Sequence, residues 1–229
     1  MDTQNKDTAT PPLIRFDHVS LAALEKWILH DISFSLYPGE KAVFIGKSGS
    51  GKSSVLRTLL GLHSVKSGAV YFKGQPLTPE SVQIIRRFTA YIGQEPILGT
   101  KNVREALLLP FQFKAHRHHQ PKEVEVIDVL HRLQLSTDIL KQECSTISGG
   151  EKQRIAIARS LLLGKKLYIL DEVTSALDSE SKNAVFDVFS DPILTVLSVT
   201  HDQEWLDRCD IIFKLEAGRL IEVKRNGNT

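Results

Sequence analysis

Two stretches of this chain carry residues whose types and spacing suit chemistry on a phosphate. Gly46 to Ser53 reads GKSGSGKS, set between the β-branched and aromatic run Lys41 to Ile45 and the helical run SSVLRTLLGL. Gly46, Gly49 and Gly51 allow the backbone to turn back and aim N–H groups at phosphate oxygens, where a side chain would obstruct. Lys47, Ser48, Ser50 and Ser54 belong to the same cradle. Lys52 adds a point charge for the β- and γ-phosphates, and the Ser53 hydroxyl suits Mg²⁺. A glycine-rich turn that merely precedes a helix is the alternative. Agreement at every fixed position, in a strand–loop–helix context, favours a nucleoside triphosphate site.

The second stretch is KLYILDEVTSALD, Lys166 to Asp178. An apolar run ending in Asp171-Glu172 places two carboxylates at the C-terminal end of a buried strand, where open α/β sheets bind ligands. Asp171 is then placed for Mg²⁺, and Glu172 to polarise an attacking water. Without the glycine loop, an acidic pair solvating a strand end would be the better reading. His201 follows another apolar strand, TVLSV, and could hydrogen-bond a γ-phosphate; its weight comes from its company.

A third stretch, TISGGEKQRIAIA from Thr146 to Ala158, raises a question of its own. Ser148 and Glu151 have capping-box spacing, which explains why a helix starts there. The paired Gly149 and Gly150 are not explained by capping. They expose N–H groups at the positive end of a helix, which is an anion site with no phosphate of its own.

These residues need elements to hold them. Leu13 to Val19 and Ile28 to Leu36 nearly alternate apolar and polar residues, as half-buried strands do, with Ala69 to Lys73 and Phe88 to Ile92 as further short strands. Val126, Val129, Leu130 and Leu133 fall at helical spacing after Pro121. Beyond Thr146, helices alternate with the apolar strands LYIL and TVLSV, ending in the hairpin IIFKLEAGRLIEV. Alternation of this kind implies an α/β core with parallel strands. An antiparallel β part near the N-terminus and a helical lobe over residues 95–147 complete the expected build.

Bulk composition narrows the classes. At 229 residues, with 41% hydrophobic and 24% charged residues, the chain reads as an ordinary globular domain. A net charge of +2 gives no electrostatic footprint for nucleic acid, so no nucleic-acid partner is expected. Cys144 and Cys209 stand in no metal-ligand pattern and read as reduced, partly buried thiols of a cytoplasmic protein. The polar start MDTQNKDTATPP does not read as a signal peptide, and no apolar run approaches the ~20 residues of a membrane span.

Taken together, the motifs resemble the ATP-binding subunits of ABC transporters over nearly the whole chain. GKSGSGKS corresponds to the Walker A loop, LYILDE to Walker B, Gln94 in YIGQEP to the Q-loop, ISGGEKQR to the signature, SALD to the D-loop and His201 to the switch histidine. The resemblance implies a P-loop NTPase fold with a RecA-like core (13–94 and 148–223) and a compact helical subdomain (95–147). It implies ATP and Mg²⁺ as cofactors, with Lys52 on the β- and γ-phosphates and Ser53, Gln94 and Asp171 at Mg²⁺. Glu172 would be the general base, His201 the γ-phosphate sensor, and Trp27 an aromatic stacking on adenine, although a strand-edge tryptophan is the alternative there. It further implies an ATP-bound homodimer in which Ser148, Gly149, Gly150 and Asp178 reach the partner's nucleotide. Ile147 and Glu151 depart mildly from the usual Leu and Gln.

Such ATPases are peripheral on the cytoplasmic face of the inner membrane, docked on an integral membrane permease. The wording GTKNVREALLLPFQ and SGGEKQRIAIARSL looks most like small iron-export or metal-stress-resistance ATPases that pair with a separate permease. The run LLLPF with Phe113 is either a permease-docking surface or packing within the lobe; exposure of Leu107, Leu108 and Phe111 would favour the permease. A scaffold ATPase of a cytosolic complex is the competing function. The cluster His116, His118 and His119, interrupted by Arg117, reads as an exposed basic loop rather than a metal site.

Overall fold

The computed structural model describes residues 11–24 and 26–226. The expectation drawn from the N-terminal residues 1–10 lies outside the described residues.

A six-stranded sheet forms the centre, in the order β10-β9-β3-β8-β7-β6. Its strands are β3 (Lys41–Ile45), β6 (Thr89–Ile92), β7 (Leu167–Asp171), β8 (Thr195–Val199), β9 (Ile211–Glu216) and β10 (Arg219–Arg225). All pair in parallel except the hairpin β9–β10. Every residue of β7 and β8 is buried, which is why LYIL and TVLSV read as continuous apolar runs rather than alternating ones. Alternate side chains nevertheless enter different cores. Tyr168, Leu170 and Val196 join the helices on one face. Leu167, Ile169, Leu197 and Val199 join the β-rich side on the other.

That second side is an antiparallel sheet of β1 (Ile14–Ala23), β2 (Lys26–Leu36), β4 (Ser67–Phe72) and β5 (Gln75–Pro76), ordered β2-β1-β4-β5. Helix α1 (Lys52–Leu59) lies between the two sheets and buries Val55, Leu56 and Leu59. An aromatic run from β1 to β9 ties the sheets together: Phe16 on Phe34 at 4.6 Å, Phe34 on Phe44 at 5.3 Å and Phe44 on Phe213 at 4.9 Å between ring centroids.

Between β6 and β7 stand α3 (Val103–Leu108), α4 (Glu123–Arg132) and α5 (Gly149–Leu162), with 3₁₀ turns at Leu109–Gln112 and Thr137–Lys141. Val126, Val129 and Leu130 are buried on α4, as their spacing requires, with Leu133 just beyond it. Helices α6 (Ser179–Phe189) and α7 (Gln203–Arg208) follow β7 and β8.

One expectation is corrected and one open alternative is decided. Phe88 does not open a strand; it closes helix α2 (Val82–Phe88), which turns Ile85 into the core while Arg86 Nε donates to the Leu60 carbonyl at 2.9 Å. Of the two readings of LLLPF, packing within the lobe holds: Leu107 and Phe111 are each 1% exposed and Leu108 packs against the same core, so the exposure that would have favoured a permease is not found at these residues. Val103, Ala106 and Leu107 repeat at i, i+3 and i+4, so α3 drives that face inward. Ile97 and Phe113 do remain outside, at 80% and 61% exposure.

Candidate nucleotide-binding site

The sheet order explains how four distant motifs meet. Strands β3, β8, β7 and β6 are immediate parallel neighbours, so all four chains leave the sheet at the same edge. The glycine loop follows β3, His201 follows β8, Asp171 and Glu172 sit at the end of β7, and Gln94 follows β6. Ligands bind at this edge of open α/β sheets.

The loop enters under close constraint. At Gly46, with φ of +146°, a Cβ would stand 2.1 Å from the Leu215 carbonyl oxygen, so no other residue fits. Gly51, with φ of +105°, precedes α1 without any side-chain cap, and no acidic residue occupies the first turn. The first N–H groups of α1 therefore have no side-chain acceptor from its N-cap, and an anion suits them. Lys52 is buried and its ammonium spans the loop, donating to the Gly46 carbonyl at 2.7 Å and the Lys47 carbonyl at 3.1 Å. Lys47, Ser48 and Gly49 face outward, whereas Ser50 is buried and its backbone carbonyl accepts from Gly218 N–H at 3.0 Å.

The acidic pair divides as the strand geometry demands. Asp171 is buried and accepts from the Ser53 hydroxyl at 3.1 Å, with the Tyr91 hydroxyl 3.5 Å from its other oxygen. Burial raises the Tyr91 pKa, so that hydroxyl keeps its proton. Glu172 adopts φ of +52°, a left-handed conformation rare outside glycine that turns its side chain away from that of Asp171. There it accepts from the Gln94 side-chain amide at 3.0 Å. The sequence places these two residues 78 positions apart.

His201 is exposed and shares a recess of about 230 Å³ with Glu172, Ser175, Lys182 and Thr200. Its neighbour Asp202 caps α7 and pairs with Lys182 of α6 at 2.7 Å. Trp27 is 50% exposed at the start of β2. An irregularity in the β1–β2 register beside it brings Trp27 and His30 together, with ring centroids 5.6 Å apart. The next residue, Ile28, has its carbonyl 3.1 Å from where a Cβ on Gly51 would lie, so this end of β2 backs the glycine loop.

The signature stretch behaves as a capped helix start. The Ser148 hydroxyl accepts from Glu151 N–H at 3.2 Å, and Glu151 Oε2 accepts from Ser148 N–H at 2.7 Å. That backbone hydrogen bond holds the Glu151 carboxyl below its usual pKa. No hydrogen bond joins Ser148, Gly149 or Gly150 to the glycine loop among the described residues. A Cβ on Gly150 would meet the Ala176 carbonyl oxygen at 3.3 Å, whereas one on Gly149 would meet nothing within 4 Å. Asp178 caps α6 through Ser181 N–H at 2.8 Å, and this hydrogen bond lowers its pKa.

The profile of the ABC transporter family matches residues 29–175, well over half of the chain. The chain belongs to the ABC transporter family. Among its relatives, the probable iron export ATP-binding protein FetA of Escherichia coli (strain K12) is 35% identical over 219 residues, covering 93% of this chain and 96% of that protein. The ATP-dependent lipid A-core flippase of Acinetobacter baylyi is 32% identical, and the match covers 96% of this chain but only 40% of the flippase. Among solved structures, a dimeric ATP-binding cassette in a post-hydrolysis state bound to ADP and Pi superposes with a TM-score of 0.82 at 24% identity, covering 93% of this chain and 99% of that one.

As an ABC ATPase the chain binds and hydrolyses ATP, and the fold is the P-loop NTPase arrangement expected from its motifs. Three residues of this ABC ATPase's site region escaped the sequence reading. Tyr91 stands three residues before Gln94, and Lys182 lies just past the D-loop. Gln153 donates from α5 to the Gly93 carbonyl at 3.2 Å. Tyr91 opens the quoted stretch YIGQEP and Gln153 lies inside the signature stretch, so these two positions carried a signal that Lys182 did not.

Proposed function

We propose that two copies of this ABC ATPase close head to tail around two ATP molecules and drive a separate membrane permease. In each site, Gly46 to Ser54 of one copy cradle the phosphates, and Ser148, Gly149 and Gly150 of the other cover the γ-phosphate. The observation that carries this reading is Gly149. Neither its backbone conformation nor any neighbour in its own chain excludes a side chain there, so the bare surface suits something arriving from outside. The capped Ser148 keeps its hydroxyl proton for that phosphate, because the cap uses the oxygen only as an acceptor.

Within the site, the Ser53 hydroxyl and the Asp171 carboxylate are the hard oxygen donors that Mg²⁺ takes, with the Gln94 amide oxygen as a further ligand. Mg²⁺, when bound, neutralises charge building on the β- and γ-phosphates. Glu172 uses one oxygen to hold the Gln94 amide and the other to take the proton of a water attacking the γ-phosphorus. His201, across the recess from Glu172, donates to the γ-phosphate, and Asp178 meets the partner's site. Trp27 stacks on the adenine. The protein's part is positioning and charge neutralisation, with ADP as the leaving group.

No helix of the described residues is long and apolar enough to cross a membrane. The exposed Ile97, three residues past Gln94, and Phe113 support a docking face there, smaller than the full LLLPF run. Similarity to an iron export protein over nearly its whole length supports a metal ion, iron first, as the cargo. The test is copurification from native membranes with this chain tagged. A multi-span permease is the expected companion; recovery of a cytosolic complex, with no membrane protein under several detergents, would favour the scaffold function.

A further inference from the structure

Gln153 is buried at 2% exposure yet uses little of its hydrogen-bonding capacity. Its Nε2 donates to the Gly93 carbonyl at 3.2 Å, while its Oε1 has no partner among the described residues. A buried polar atom without a partner costs stability, so packing alone does not account for a glutamine here. What distinguishes Gln153 is what it touches, the residue immediately before Gln94.

Further along α5, the Arg159 guanidinium donates to the carbonyls of Ile97 at 2.9 Å and Leu98 at 3.0 Å. Six helical residues separate the two grips, about 9 Å along the axis. Helix α5 therefore holds both ends of the segment 93–98, with Gln94 between them. The same helix begins at Ser148 to Gly150, one and a half turns before Gln153. The far end of the linkage is the hydrogen bond from Gln94 to Glu172.

We infer that Gln153 is a positioning residue. It fixes the segment that carries Gln94 to the helix that begins with Ser148, so that closure of that helix end on the partner's nucleotide sets Gln94 against Glu172 in its own chain. This rests on the roles proposed above for Gln94 and the signature residues. Arg159 anchors the segment's far end and Gln153 its near end, and only the near anchor adjoins a reacting group.

The test is a double-mutant cycle on the purified full chain, using Gln153→Met, Gln94→Ala and both together, with ATP turnover, ATP affinity and thermal stability measured on each. Gln153→Met is expected to lower kcat about tenfold, leave ATP affinity within about twofold and keep Tm within about 3 °C. The double variant is expected to be no slower than Gln94→Ala alone. Amide exchange across residues 93–98 should quicken in Gln153→Met, a readout that overall folding does not move. Wild-type turnover in Gln153→Met, unchanged exchange, or a double variant slowed by the product of the two single effects would overturn the inference. Gln94→Ala at wild-type turnover would instead overturn the role given to Gln94 itself. Gln153→Leu is the second variant should the methionine fail to fold, and it carries the same expectations.

Discussion

Glu172→Gln is expected to bind ATP as the wild type does and to hydrolyse it about 10²- to 10⁴-fold more slowly, the usual contribution of a general base. The substitution is nearly isosteric, and its amide oxygen can still accept from Gln94 at the distance seen here, 3.0 Å. What disappears is the carboxylate proposed to take the proton of the attacking water. The left-handed backbone at Glu172 costs glutamine much what it costs glutamate, so the fold should be indifferent to the change. Because hydrolysis is blocked after binding, the ATP-bound dimer should accumulate and elute as such on gel filtration. Turnover at the wild-type rate would remove Glu172 from the reaction.

Gly149→Asp separates stability from activity with opposite signs. A Cβ at Gly149 meets nothing within 4 Å, and a carboxylate in the first turn of α5 interacts favourably with the helix dipole. The purified variant should therefore melt at or slightly above the wild-type temperature. In the proposed head-to-tail dimer the same carboxylate would face a γ-phosphate. Like charges about 4 Å apart repel by about 4 kcal/mol per unit charge at an effective dielectric of 20, which corresponds to about a thousandfold in rate or affinity. Turnover should fall by that order, while ATP binding to each separate copy persists. A variant with lower stability and full activity would mean that α5 starts with paired glycines for local reasons.

The legible and the hidden parts of this protein divide by how far apart in sequence the contacts are. The glycine loop is local, since strand, turn and helix are contiguous, although the reason that Gly46 admits no side chain, the Leu215 carbonyl on β9, is distant in sequence. Strands β7 and β8 announced themselves because burial on both faces leaves only apolar residues. The cap at Ser148 and Glu151 was likewise written in a four-residue spacing. By contrast, α2 was missed because VQIIRRF sends one isoleucine inward and leaves the other exposed, a pattern too short to show a period. Leu107, Phe111 and Phe113 are equally apolar in sequence, and only the packing of α3 on α5 distinguishes the first two from the third. The contacts of Lys182 with Asp202 and of Gln153 with Gly93 span 20 and 60 residues and follow from topology alone.

If sites are shared as proposed, an isolated copy should be a poor catalyst. Its glycine loop, Asp171, Glu172, Gln94 and His201 converge at one sheet edge, while among the described residues its own Ser148, Gly149 and Gly150 make no hydrogen bond to that loop. In the head-to-tail dimer proposed above, one copy would supply both halves of a site, but for different nucleotides.

Mixing two inactive variants tests this most directly. Lys52→Ala disables the phosphate cradle and leaves the signature intact; Gly149→Asp does the reverse. Each alone should be nearly inactive. Combined in equal amounts, half of randomly formed dimers are mixed, and each mixed dimer has one intact site of two, so about a quarter of the wild-type turnover should return. Activity no greater than the sum of the two variants measured separately would contradict a site shared between copies.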